Sequence, residues 1–241
     1  MDSHRISGRI LAENIAGPGM LRLVEQSMQA RIRKASVAEI AVKERKHPQA
    51  ALTFDDGPDI RYTPLLLDGL KERNVRVSFF LLGEKVEQYP ELVERMQKEG
   101  HLVGNHTYHH VQLNKLNETK AREEILKTNN LIYETTGVYP LYLRPPFGAW
   151  KKNLELCVEM LPVFWTIDTL DWKVQNTEKI VRTVQEQIED GAIILMHDEY
   201  DTSVEAALQV VDELKNQGQN SCLVLIAFFQ EFRYTVKQRS A

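Results

Sequence analysis

A chain of 241 residues, 43% of them hydrophobic, with a net charge of −4 can bury a substantial core as one barrel or doubly wound domain, and its composition excludes general disorder. No stretch reaches the roughly 18 apolar residues of a membrane span; the longest apolar run, Leu223 to Phe229, reads as a buried strand. The charge is uneven, since residues 1–47 carry nine Lys or Arg against five acids while residues 48–241 carry 21 against 29.

The opening residues Met1 to Arg5 have neither an apolar h-region nor a small-residue cleavage site, which predicts no secretory signal and a cytosolic chain by default. A misassigned start would make the cell wall the alternative. After the Gly17-Pro18-Gly19 break, Leu21, Val24, Met28, Ile32 and Ala35 recur at helical spacing, so residues 1–47 read as a helical N-terminal extension. Its basic residues alternate with acids and it has no aromatics, which argues against a nucleic-acid partner. Cys157 and Cys222 lie beside apolar residues without metal-like spacing and read as buried free thiols.

From residue 48 onward short apolar runs alternate with helical segments, the pattern of parallel β/α units. Strands are predicted at Ala50–Phe54, Arg76–Leu82, Leu102–Asn105, Leu141–Arg144, Pro162–Ile167, Ala192–His197 and Leu223–Phe229. Thr63-Pro64 opens one helix, and Pro90 to Glu99 forms another that stops at Gly100. Asn117 is positioned to cap a third, Thr177 a fourth ending at Gly191, and Ser203 a fifth before Gly218. The result is an α/β domain over 48–241 with about seven parallel strands, barrel or open sheet.

Polar clusters fall at the ends of these strands, where parallel α/β folds gather their active sites. Asp55 and Asp56 leave the first strand in different directions, which suits one to metal binding and the other to proton transfer. A solvated turn is the plainer reading of Asp-Asp-Gly-Pro taken alone. His106 and His110 are four residues apart and, with Asp56, make a two-histidine, one-carboxylate set that leaves coordination positions open. Arg144, on a loop stiffened by Pro145 and Pro146, suits a charge-assisted pair with Asp55, and peptide N–H groups after Pro146 suit an oxyanion. Asp171 beside Trp172 joins a carboxylate able to raise a histidine pKa to a flat apolar wall, and the strand ending at His197 delivers the candidate acid.

The segments TFDDGP, His106-Thr107-Tyr108-His109-His110, RPPFG, DTLDW and IILMHD, in that order, resemble the five motifs of NodB-type polysaccharide deacetylases, carbohydrate esterase family four. The resemblance covers residues 50 to 230. It implies a distorted (β/α) barrel with fewer than eight strands and a metal-dependent hydrolase removing acetyl groups, N-acetyl first, from a glycan containing N-acetylglucosamine. It implies Asp55 as general base oriented by Arg144; Asp56, His106 and His110 as ligands of one divalent ion, zinc first with cobalt, nickel, manganese or iron as alternatives; and His197 as acid tuned by Asp171. Phe147, Trp172 and Leu195 are implied at the substrate, Phe147 through its backbone. The family often has Tyr at the Phe147 position, but a backbone contact needs no hydroxyl. An O-acetyl esterase and a non-catalytic glycan- or metal-binding module of the same fold are the alternatives.

Overall fold

The runs Ala50–Asp55 (AALTFD) and Ala192–His197 (AIILMH) are buried at every position, as expected of parallel strands covered on both faces. In the computed structural model, which describes residues 50–150 and 160–216, they form β1 and β7. Between them lie β2 (Ser78–Leu81), β3 (Leu102–Asn105), β4 (Tyr142–Leu143), β5 (Leu161–Pro162) and β6 (Ile167–Asp168). The seven strands form one sheet in the order β5-β4-β3-β2-β1-β7-β6, and each pairing is parallel. The helices are α1 (Tyr62–Glu72), α2 (Gly83–Gln88), α3 (Pro90–Lys98), α4 (Glu118–Thr136), α5 (Asp171–Val174), α6 (Thr177–Gln187) and α7 (Asp201–Asn216). Among the described residues, no helix is long and apolar enough to cross a membrane.

The sheet has to curl. Strands β5 and β6 are its opposite edges, yet only residues 163–166 join them. Five Cα–Cα steps reach at most about 18 Å, whereas seven flat strands would set their edges about 29 Å apart. The outcome is a half-barrel whose interior holds the fully buried Arg144, with its guanidinium 4.2 Å from the Phe80 ring and 5.8 Å from that of Trp165. This corrects the single strand expected over Pro162–Ile167: the chain turns out of the sheet at Val163–Thr166 and re-enters on the other side of the barrel.

Helix ends also differ in part from expectation. Asn117 caps α4, its side chain accepting from the Lys120 N–H at 2.9 Å, and Gly137 closes it at φ 69°. The cap of α6 is Asn176 rather than Thr177, because Asn176 accepts from Lys179 N–H while the Thr177 hydroxyl bonds Glu205 across to α7. That helix ends at Gln187, before Gly191, where Ile188 becomes extended. Ser203 lies buried inside the first turn of α7, which starts at Asp201. The 1–47 extension, the Leu223–Phe229 strand, Cys157 and Cys222 lie outside the described residues.

One core histidine sits away from the strand mouths. His101 is buried edge-on to Phe79, and its Nδ1 accepts the Val77 N–H at 3.1 Å. Burial, with help from Arg76 and Arg95 and against Glu99, holds its pKa down to about 4. A folded pKa below the unfolded value near 6.5 means that the unfolded chain binds the extra proton first, so stability is lost as pH falls from about 6.5 to 4. The loss is on the order of 3 kcal/mol. Denaturant unfolding at pH 7 and 4.5 is expected to show this difference in the wild type and a smaller one in His101→Gln; an equal difference in the two proteins would contradict it.

Candidate active site

Parallel register brings the strand ends together. Asp55 pairs with His197 across β1 and β7, Asn105 pairs with Leu143 across β3 and β4, and Asp168 pairs with Leu195 across β6 and β7. Period-two alternation puts Thr53 and Asp55 on one face of β1, and Arg144 Nη1 donates to both, at 2.8 Å and 2.7 Å. Burial is the dominant influence on the Asp55 carboxyl and raises its pKa, against the attraction of Arg144 and His197. Thr53 went unnoticed in the sequence, although its alternation with Asp55 was the available signal.

Asp56 leaves the strand with φ 67° and turns its carboxylate toward the two histidines. Its Oδ1 lies 3.4 Å from His106 Nε2 and 3.4 Å from His110 Nε2. The candidate ligand atoms of Asp56, His106 and His110 all fall within 4.8 Å of one another. Burial, aided by His110 and Arg144 and opposed by Asp56, keeps the His106 pKa near 3, so its ring is neutral. His106 Nδ1 lies 2.6 Å from the Arg144 carbonyl; with the proton on Nδ1, the Nε2 lone pair faces Asp56. Asp56 Oδ1 is buried without a hydrogen-bond partner among the described residues. A buried, unpartnered carboxylate oxygen between two imidazole nitrogens is a donor set that fits a divalent ion.

Asp171 grips His197 twice across this cradle: Oδ2 accepts the backbone N–H at 2.7 Å, and Oδ1 lies 2.8 Å from Nδ1. Burial is the strongest single influence on His197 and opposes its charge. The Asp171 hydrogen bond, with the attraction of Asp171, Asp55 and Asp56, outweighs it and lifts the pKa to about 9. His197 is therefore an imidazolium at neutral pH, with Nε2 3.9 Å from Asp56 Oδ2.

The three substrate-side candidates are placed unequally. Leu195 is buried two residues before His197 and so shares its face of β7. Trp172 is 47% exposed and Phe147 61% exposed, so neither is a core residue. The Phe147 ring lies 4.5 Å from that of His110. Seven non-glycine residues among those described have positive φ, and five of them (Asp56, Thr107, His110, Phe147 and Leu170) lie at this mouth. Each costs about 1–3 kcal/mol, so the surrounding contacts hold the mouth in shape at the expense of stability.

Asp198, next to His197, is fully buried, and burial lifts its carboxyl to about 7. Its Oδ2 accepts from the Thr63 hydroxyl, which itself accepts the Asp59 N–H at 2.7 Å. A Cβ on Gly57 would stand 2.5 Å from Asp198 Oδ1, so only glycine fits there and the Asp56-Gly57-Pro58 turn lies directly on this carboxyl.

Fold and site together define a curled (β/α) half-barrel with an Asp-His-His cradle next to a buried carboxylate and an imidazolium. The polysaccharide deacetylase family model matches residues 42–163, about half the chain, and the chain belongs to that family. It is 41% identical over 177 residues to a peptidoglycan-N-acetylglucosamine deacetylase of Bacillus cereus, a match covering 70% of this chain and 64% of the relative. The structure of peptidoglycan deacetylase PdaC from Bacillus subtilis matches with a TM-score of 0.73 at 36% identity, covering 80% of this chain and 96% of that one. A chitooligosaccharide deacetylase of Bradyrhizobium is 36% identical over 153 residues, covering 62% of this chain and 70% of the relative. The chain spans less than two thirds of the first curated relatives it matches, 64% of the Bacillus cereus protein and 40% of curated PdaC. The family is metal-dependent, and Asp56, His106 and His110 make a site that fits its ion.

Proposed function

We propose that this chain is a metal-dependent deacetylase that hydrolyses the N-acetyl amide of amino sugars in peptidoglycan or a related N-acetylglucosamine oligosaccharide. The observation that carries the reading is the pairing of Asp55 with His197 at the ends of β1 and β7, beside the Asp56-His106-His110 cradle, with Asp55 Oδ2 3.7 Å from His106 Nε2 and His197 Nε2 3.9 Å from Asp56 Oδ2. The substrate class rests on the three similar proteins described above, two named for peptidoglycan and one for chitooligosaccharides. A peptidoglycan substrate favours the cell-wall side over the cytosolic default.

A divalent ion held by Asp56, His106 and His110, zinc first, would polarise the acetyl carbonyl and lower the pKa of a water to about 7. Asp55 is the base for the attacking water, accepting its proton as the new C–O bond forms; burial makes it a better base, and Arg144 orients it. The Phe147 peptide N–H, on a strained turn beside His110, serves the developing oxyanion. His197 gives its Nε2 proton to the departing nitrogen as the C–N bond breaks, leaving acetate and the free amine. Leu195 and the exposed Trp172 indole wall the acetyl methyl.

The deciding experiment assays acetate release by the zinc-loaded protein from peptidoglycan fragments, chitooligosaccharides and acetylated xylan. Release from the first or second is the expected result. Release from xylan alone would replace the amidase by an O-acetyl esterase, and zinc binding without any release would leave a binding module.

A further inference from the structure

The histidine loop is braced from two sides: the Gly83 and Glu84 N–H groups at the start of α2 donate to its Thr107 and Tyr108 carbonyls at 2.9 Å and 3.3 Å, and α4 holds it from the other side. Thr107, a β-branched residue, sits at φ 68° and His110 at φ 54°, conformations that persist only where surrounding bonds enforce them. At the loop's base the buried Asn105 accepts the Thr107 N–H at 2.6 Å and donates to the Ile125 carbonyl and the Asn129 side chain of α4. At the tip a single oxygen, Glu124 Oε2, accepts the N–H groups of both Tyr108 and His109, at 3.0 Å and 2.9 Å. The other oxygen, Oε1, lies 2.8 Å from His109 Nδ1.

We propose that Glu124, in mid-helix and outside the five motifs, is a positioning residue for the histidine ligands: it fixes the Tyr108-His109 peptides so that His106 and His110 converge on Asp56. Charge-assisted bonds from two consecutive peptide N–H groups to one carboxylate are strong and directional. The strand end sets His106, whose own N–H bonds the Leu81 carbonyl at 2.9 Å. Among the described residues the His110 N–H has no such strand partner, and the three residues between the two rings must be held for both Nε2 atoms to stay 3.4 Å from Asp56 Oδ1. His109 is a passenger on this arrangement, since its ring is more than half exposed and touches the outer oxygen.

The inference rests on the assignment of Asp56, His106 and His110 as metal ligands, and its test reads the metal rather than turnover. Metal-free protein is titrated with Co(II) and with Zn(II) against a chelator, and the Co(II) ligand-field absorption is recorded. Glu124→Ala is expected to weaken both ions by roughly 10–100-fold, as loss of a group orienting a ligand does, and to change the Co(II) spectrum. Glu124→Gln keeps a carbonyl oxygen for the two N–H groups and recovers most of that affinity, while His109→Ala leaves it unchanged. If Glu124→Ala does not fold, Glu124→Asp, one methylene short of the loop, is expected to show the same weakening. Wild-type affinity and spectrum in the folded Glu124 variants, with only a lower melting temperature, would overturn the inference. A wild-type chain that takes up neither ion would instead overturn the ligand assignment beneath it.

Discussion

Asp55→Asn is expected to lower kcat by about 10²–10⁴-fold, the range for loss of a general base, while leaving metal affinity close to wild type. The amide has the shape of the carboxylate and can still accept from Arg144 Nη1, but it cannot take a proton from water. The substitution also exposes a conflict between stability and function. Arg144 is fully buried, its Nη2 has no hydrogen-bond partner among the described residues, and Asp55 is the carboxylate that pairs with it there. Removing that charge leaves a buried guanidinium uncompensated, at a cost of roughly 3–5 kcal/mol. Replacing Arg144 by Met as well removes the stranded charge, so Asp55→Asn with Arg144→Met is expected to regain stability and not activity. Melting temperature, zinc content and acetate release on the wild type and the two variants separate the two effects. Full turnover in Asp55→Asn would remove Asp55 from the proton path, and activity returning with stability in the double variant would make its role structural.

Much of this site is legible in the sequence because a parallel strand advertises both its span and its end. The runs ending at Asp55, Asn105 and His197 are mostly apolar along the strand and turn polar where they reach the mouth, although those polar ends are themselves buried. Once the strands pair in parallel, polar residues distant along the chain share a rim. Local pattern fails where the determining contact is distant. Residues 162–167 look like one strand, and only closure of the barrel splits them between its two edges. Asn176 and Thr177 are both competent caps, and the Glu205 side chain on α7 decides between them by occupying the Thr177 hydroxyl. Glu124 has the spacing of any solvated helical acid; the peptides that it holds lie 15 and 16 residues away. Asp198 reads as the tail of a motif until the Gly57 turn is found lying on it.

The Asp171–His197 pair makes the second large prediction, and its sign follows from the protonation state that the chemistry needs. As a proton donor His197 must be charged, so activity is held below its pKa and lost as pH rises through it. The lift to about 9 depends on Asp171 through a hydrogen bond and a charge. An ion bound at Asp56 cancels that carboxylate's share, so the alkaline limb of the loaded enzyme falls below about 9. Asp171→Asn removes the larger share: an amide retains one acceptor for the two His197 N–H groups and no charge. Burial then acts with little opposition and pushes the ring toward neutrality near pH 7. Turnover at pH 8 is expected to fall by about 10²–10⁴-fold, with the alkaline limb of the kcat profile displaced to lower pH and the zinc content unchanged. His197→Ala should be at least as damaging, and Asp171→Asn added to it should cost nothing further, because two residues acting as one unit do not add. An additive double variant, or an Asp171→Asn enzyme whose alkaline limb stays in place, would mean that the proton reaching the leaving amine comes from a group other than His197.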